Sequence, residues 1–309
     1  MLKQVIEILE ILDAPSVSGQ DIAHLFSEYE GVASEYETIS TDKGTTDVVR
    51  IFIRGRDESA PVLGIFGQLG GIGARPEAVG FVSDGDGAAA ALATALKAAQ
   101  MREKGDLLPG DLYVSTHICP DAPTQPHEPV PFMGSPVGTR QVLESMKKGR
   151  FNAVISIDTT KGNRIINCRG IAITPTVKEG YILKVAYDLL DIYEMVTGSF
   201  PKVLPITMQD ISPYGNGVSH INSIMQPCVA LEVPVIGLAI TAESVVAGCA
   251  TGASHEIDIE LAARFSLETA KRFSNGSCSF YDESEFERMK YLYGDMSRLV
   301  YSREELEDD

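Results

Sequence analysis

Four short apolar runs set the tightest limit on what this chain can fold into: Val62–Phe66, Leu112–Thr116, Ala153–Ile157 and Val229–Ile240. Runs of this length without polar alternation read as buried strands, and Pro234 interrupts the fourth. Segments of helical character lie between and after them. Ala88–Gln100 is rich in alanine, with Leu92 and Leu96 four apart. Val142–Lys148, Leu183–Val196 and His255–Phe273 follow, the last with Ile257, Leu261, Phe265 and Leu267 on or near one face. Strands that alternate with helices predict an α/β fold, a three-layer sandwich around a mostly parallel, mixed central sheet. In such sheets, functional groups collect at the carboxyl ends of the strands, which here carry Gln68, His117 and Asp158.

The N-terminal part is simpler. Leu2–Leu12 has helical apolar spacing, and Ser18 with Asp21 reads as a capping box opening a second helix over Ile22–Tyr29. His24 on that helix reads as a surface or packing residue. Glu35–Ser40 and Asp47–Arg54 alternate around Thr41-Asp42-Lys43-Gly44, a hairpin pattern. Arg164–Thr174 suggests a strand pair or a hairpin. Ser284–Leu299 is amphipathic, so the expected division is one α/β domain over 1–279 and a helical, acidic extension over 280–309.

Composition excludes several classes of function. The net charge is -17, from 26 basic and 43 acidic residues, which opposes binding to the phosphate backbone of nucleic acid and docking on anionic lipid. The first residues lack the pattern of a signal peptide, and the longest apolar run, Cys228–Thr241, is too short to span a bilayer. Five cysteines (Cys119, Cys168, Cys228, Cys249 and Cys278) are scattered without a C-x-x-C pair, which points to a reducing, cytoplasmic setting.

Candidate chemistry gathers in four places. In Val82-Ser83-Asp84-Gly85-Asp86-Gly87, two carboxylates occupy a glycine-rich turn before the alanine-rich helix. They serve either as helix caps or as hard oxygen ligands for a divalent metal. We take Asp84 as the site carboxylate and Asp86 as the cap. Thr116-His117-Ile118-Cys119-Pro120-Asp121 puts a histidine, a thiol and a carboxylate just past a buried strand, with His127-Glu128 in the same loop. Those side chains either satisfy loop backbone groups or form part of a site. Asp158 is delivered to a strand terminus, as a turn cap or a ligand. In Ser254-His255-Glu256-Ile257-Asp258, N-capping by Ser254 and a dipole-favoured first turn account for everything except His255.

Taken in order, these pieces resemble the co-catalytic zinc exopeptidases, the clan of leucyl- and glutamyl-type aminopeptidases and dimetal carboxypeptidases. Pro15-Ser16-Val17-Ser18-Gly19 looks like that clan's "P-S-x-S-G" break, and Asp42-Lys43-Gly44-Thr45 is similar to its "D-x-x-G-N" hairpin. Asp84-Gly85-Asp86-Gly87 resembles the "D-x-K-G" turn, whose first Asp bridges two metals. The strand ending in Asp158 and the segment His255 to Glu260 resemble those that supply further ligands. The resemblance covers most of Met1 to Phe273 and implies a phosphorylase/hydrolase-like fold. The chain departs from the pattern in two places. Gly67-Gln68-Leu69-Gly70-Gly71 stands where the clan has its first metal histidine and that residue's Asp, and His117-Ile118-Cys119-Pro120-Asp121 stands where it has paired glutamates. The whole chain looks most like an uncharacterised bacterial and archaeal family known as a domain of unknown function.

Three functions follow as expectations. The first is a metal-dependent hydrolase of a small amide or peptide, with a partly degenerate dimetal site. Its zinc or manganese would be held by Asp84, Asp158, His255 and His117, with His117 or Asp121 as a replacement ligand or base. The second is a non-catalytic protein on the same fold that binds a small ligand or acts by assembly. The third is a hydrolase using Cys119 with His117 or His127 as its base. The expected partners are a small-molecule or peptide substrate and further copies of the chain in a homo-oligomer.

Overall fold

Three of the four apolar runs become neighbouring parallel strands, and the fourth joins them only beyond Pro234. The computed structural model describes residues 1–68, 81–120, 122–125, 132–220, 222–245 and 254–297. In chain order these form α1 (Leu2–Leu12), α2 (Gly19–Ser27), β1 (Val32–Thr41), β2 (Gly44–Ile53) and β3 (Leu63–Gly67). A single 3-10 turn, Ser83–Gly85, leads into α3 (Asp86–Glu103), followed by β4 (Leu112–Ile118), the short pair β5 (Thr124–Gln125) and β6 (Phe132–Met133), and α4 (Thr139–Met146). Then come β7 (Ala153–Thr160), β8 (Gly170–Ile173), β9 (Val177–Lys178), β10 (Tyr181–Ile182) and α5 (Tyr187–Thr197). A 3-10 segment (Ser223–Val229), β11 (Val235–Thr241), α6 (Glu256–Ser274) and α7 (Glu283–Tyr293) complete the described chain.

The sheet runs β1-β2-β4-β3-β7-β11-β9-β10, with β8 also paired to β11. Its centre, β4-β3-β7-β11, is parallel; β1 and β2 on one side and β8, β9 and β10 on the other pair antiparallel. The fold is therefore α/β, with a mixed sheet covered by helices on both faces. One face packs against α1, α2, α3, α5 and α6 in a single apolar core. The other is covered by α4 and the 3-10 segment.

Local signals explain most boundaries. Ser18 and Asp21 form the reciprocal capping box that opens α2. The β1–β2 hairpin turns at Gly44, whose φ of 139° suits glycine. Pro227 and Pro234 lack the N–H that a strand ladder needs, so Ser223–Val229 coils as a 3-10 helix and the strand starts at Val235. Of the expected pair over Arg164–Thr174, only β8 forms, because its partner is β11. On α6 the apolar face is carried by Ile259, Ala262, Ala263, Phe265 and Ala270, whereas Ile257 is exposed. The C-terminal part packs onto the sheet's edge: Phe280 joins the main core, and Phe286 of α7 is buried against Tyr181 and Leu183.

Two contacts fix the parts that border the strand ends. The buried Arg50 of β2 donates to Glu35 (2.8 Å) and Glu37 (3.0 Å) on β1 and to the Ser145 hydroxyl (2.6 Å) and carbonyl (3.1 Å) on α4. A buried guanidinium is tolerated only when it is matched this fully, so the network fastens α4 to the sheet. Hydrogen bonds from Lys148, Ser145 and Arg50 pull the Glu37 carboxyl down to about 2. At the other contact, the first turn of α3 lies directly on the strand ends. A Cβ on Gly87 would sit 2.4 Å from the Ile157 carbonyl oxygen and 3.1 Å from that of Gln68. Both obstacles are backbone, so the overlap cannot be relieved by a rotamer change. Gly87→Ala is expected to destabilise the fold by about 2–3 kcal/mol, the usual scale for overpacking, as read by urea unfolding of the purified protein.

Candidate active site

The carboxyl ends of the parallel strands bring three of the singled-out residues into one row. Alternation along β4 places Tyr113, Ser115 and His117 on the face that α4 covers, and alternation along β7 does the same for Val154, Ser156 and Asp158. Gln68 continues β3 by one residue, donating its N–H to the Ile157 carbonyl at 2.7 Å. Registers of Phe66 with Ser115 and of Gly67 with Ile157 then align His117, Gln68 and Asp158 on adjacent strands. All three are buried. Gln68 therefore separates His117 from Asp158 by one strand spacing on each side, about 4.8 Å.

Asp158 is strongly perturbed. Its Oδ1 accepts from the Thr159 N–H at 2.7 Å, and its Oδ2 accepts from the Ser223 hydroxyl. Burial pushes its carboxyl up from 3.8 to about 7, with a further push from the negative charge of Asp84; Ser223, Thr159 and Lys161 oppose the rise. Ser223 also faces the Tyr214 phenol, which burial holds in its protonated form. The segment carrying these residues is ordered by buried Asp210, which accepts from the N–H (2.8 Å) and hydroxyl (3.1 Å) of Thr207 and from the Asn222 N–H (3.3 Å). Asn222 in turn donates to Thr160 at 3.0 Å and caps the 3-10 segment.

Asp84 sits half-buried in the 3-10 turn, within electrostatic reach of both Asp158 and Asp86. Thr159 ties that turn to β7 by donating to the Ser83 carbonyl at 2.8 Å. Asp86 is not a helix cap. It lies inside the first turn of α3 and accepts the Ser254 hydroxyl at 2.6 Å, which also removes Ser254 from the capping role at α6. Burial holds Asp86 well above the carboxylate range, Asp84 and Glu256 push it further, and Ser254 and Lys161 oppose them. His255 is the N-cap residue of α6, is exposed, and lines a small cleft with Ser83, Asp86, Lys161 and Asp258.

The strand ends thus bring Asp84, Asp86, Asp158 and Lys161 together, with His255 on the α6 side of the same rim. His117 lies on the opposite face of the sheet from α3, and its Nδ1 meets the Thr46 hydroxyl at 3.1 Å. Cys119 is buried beside Val82 and Ala122, its Sγ 3.4 Å from the Thr45 carbonyl. Asp121 and His127 lie outside the described residues. Among the described residues, no group of three His, Cys, Asp or Glu side chains could hold a metal ion. No described helix is long and apolar enough to cross a membrane. Ser223, Tyr214, Asn222 and Asp210 were not evident as site residues in the sequence. Their only signal is the density of Pro, Gly, Ser, Thr and Asn between Leu204 and Asn222.

The raised Asp158 carboxyl has a measurable consequence. A carboxyl whose value is higher in the folded state adds stability that is fully present below 3.8 and is lost as pH rises through about 7. Asp158→Asn removes that slope. The variant is expected to gain on the native protein between pH 5 and pH 8, by on the order of 2–4 kcal/mol, in denaturation curves recorded across that range.

Comparison with known proteins agrees with this architecture. A family profile described as "Protein of unknown function (DUF1177)" matches residues 37–303. Among curated proteins, none matches. A glutaminyl cyclase from an Acidobacteriales bacterium superposes with a TM-score of 0.50 at 12% identity, covering 89% of this chain and 94% of its own. A leucyl aminopeptidase from Trypanosoma cruzi gives 0.49 at 12% identity and a cytosol aminopeptidase from Coxiella burnetii 0.48 at 14%. This chain spans 62% of the trypanosomal protein and 68% of the Coxiella one, and 85% and 86% of it are covered. At 12% identity the likeness to the cyclase is one of fold alone.

Proposed function

The chain belongs to the DUF1177 family, whose description assigns no activity, and from its fold and its rim of carboxylates we propose a hydrolase of a small amide or peptide. The observation that carries this reading is Asp158: a buried carboxyl at about 7, at the carboxyl end of a central parallel strand, beside a second carboxylate and a lysine. Groups poised near neutrality are the ones that exchange protons efficiently at physiological pH.

In the proposed step, Asp158 in its ionised form takes a proton from a water molecule. The water oxygen bonds to the substrate's amide carbon while the carbonyl π electrons move to its oxygen. Lys161, the cation that acts on both Asp86 and Asp158, stabilises that oxygen. When the oxyanion collapses, the C–N bond breaks and the proton on Asp158 passes to the leaving amine, giving an acid and an amine. Asp84 raises the affinity of Asp158 for its proton and so tunes the base. His255 borders the rim on the α6 side.

The fold's relatives are named as aminopeptidases and a cyclase, and zinc or manganese is the metal expected from the resemblance. A catalytic zinc needs three protein donors, and among the described residues no three His, Cys, Asp or Glu side chains come together to hold one. No step above runs through a metal.

Release of amine from a panel of dipeptides and small amides tests the reading. The rate is expected to rise with pH through about 7, following ionisation of Asp158, and to fall at least 100-fold in Asp158→Asn. Persistence of turnover after exhaustive chelation is expected; loss that zinc or manganese restores would overturn the metal-free step. A second reading, a non-catalytic small-ligand binder, draws support from Gln68. A neutral amide occupies the centre of the row between His117 and Asp158, where it can neither exchange a proton nor carry charge. Thermal stabilisation by a metabolite without turnover of any amide would favour that reading.

A further inference from the structure

On the face covered by α4, a cavity of about 510 Å³ opens between the start of α4 and the loop of Tyr214. Tyr214 forms part of its wall, and the same residue faces Ser223, which holds Asp158. Tyr214 and Ser223 thus link the cavity to the proposed base. Val137, Pro213 and Val229 supply apolar surface.

Two polar groups give this cavity a chemical preference. Gln226 is buried to 1% exposure, and its Nε2 donates to the carbonyls of Asp210 (3.4 Å) and Ser212 (3.0 Å). Those two acceptors fix the amide's orientation and leave Oε1 as an acceptor with no partner among the described residues. Arg140 is the cation of the lining, and among the described residues it has no ion pair. The lining's carboxylate, Glu144, is already held by Lys147 at 2.7 Å. With Glu144 held by Lys147, Arg140 is the charge of the lining left to meet an anionic group. An arginine fork suits a carboxylate, and a fixed amide oxygen suits an N–H donor.

The geometry points to a specificity pocket for the carboxylate end of a small N-acyl amino acid, with Arg140 as counter-ion, Gln226 Oε1 accepting the amide N–H and the apolar walls taking the side chain. This assignment rests on the hydrolase reading for its biological meaning, and it gives that reading a substrate class.

Calorimetry on the full-length protein tests it with N-acetyl-leucine and N-acetyl-leucinamide, which share a body and differ in carboxylate against carboxamide. The acid is expected to bind at least tenfold more tightly. Arg140→Gln, a change at an exposed position, is expected to bring the two within twofold while the melting temperature stays unchanged. Methylating the amide nitrogen of N-acetyl-leucine is expected to weaken binding at least fivefold in the native protein. Equal affinities for acid and amide, or a preference that survives in Arg140→Gln, would overturn the pocket. An undiminished affinity of the N-methylated acid would overturn the role of Gln226. Asp158→Asn separates the two readings, because it is expected to keep the Arg140-dependent preference while losing turnover. A preference found without any amide hydrolysis would leave the pocket standing and remove the hydrolase; hydrolysis without the preference would do the reverse.

Discussion

The structure depends on how closely the first turn of α3 approaches the carboxyl ends of β3 and β7. Gly87 meets the carbonyl oxygens of Ile157 and Gln68, and Gly67 meets the backbone of Ala88 from the other side. Helix and sheet therefore touch through main chain, with no side chain between them. This contact makes the alanine-rich helix bury almost its whole circumference, between the sheet on one side and α1 and α6 on the other. It also sets the 3-10 turn of Asp84 over the strand ends. Bulkier residues on α3 would separate the layers and carry Asp84 away from Asp158. The small side chains of this segment are thus a condition of the site as much as of the core.

That approach concentrates negative charge where water is scarce. Asp84, Asp86 and Asp158 share one rim, and Lys161 is the cation that acts on both buried carboxyls. Burial and mutual repulsion act in the same direction, and the two buried carboxyls respond by retaining protons. Hydrogen bonds from Ser254, Ser223 and the Thr159 amide limit the rise without reversing it. Asp158 therefore exchanges its proton near neutral pH, and Asp86 keeps its own well above the ordinary carboxylate range. On the far side of Gln68, His117 meets the Thr46 hydroxyl.

Much of the architecture was legible in the sequence because it rests on local periodicity. The apolar runs of β3, β4 and β7, the helix of Leu2–Leu12, the capping box at Ser18 and the hairpin around Gly44 all follow from spacing and turn chemistry. The parallel centre followed from alternation of strands and helices. What failed to show depends on contacts between distant residues. Ser254 precedes a helix and has the right chemistry to cap it, yet Asp86, 168 residues away, takes its hydroxyl. Asp86 looked like a cap for the same local reason. The Leu204–Asn222 segment has no periodicity, so Ser223 and Tyr214 become visible only when the fold brings them against Asp158. Asp84 and Asp158 stood out as candidates because each stands at a strand or turn terminus, a position legible from local sequence alone.

The sheet order also dictates when the molecule can become itself. β7 ends at Thr160, but its outer partner, β11, begins only at Val235, and β8 and β9 wait for the same strand. A nascent chain that has reached Thr160 already holds β3, β4 and β7, with β7 presenting a bare apolar edge. The whole stretch that carries β8, β9, β10, α5 and the 3-10 segment must leave the ribosome before that edge is covered. Parallel pairing across such a separation is slow to form and exposed to intermolecular pairing while it waits. Synthesis rate over the β7–β11 interval thus bears on the yield of soluble protein, independently of the stability of the finished fold.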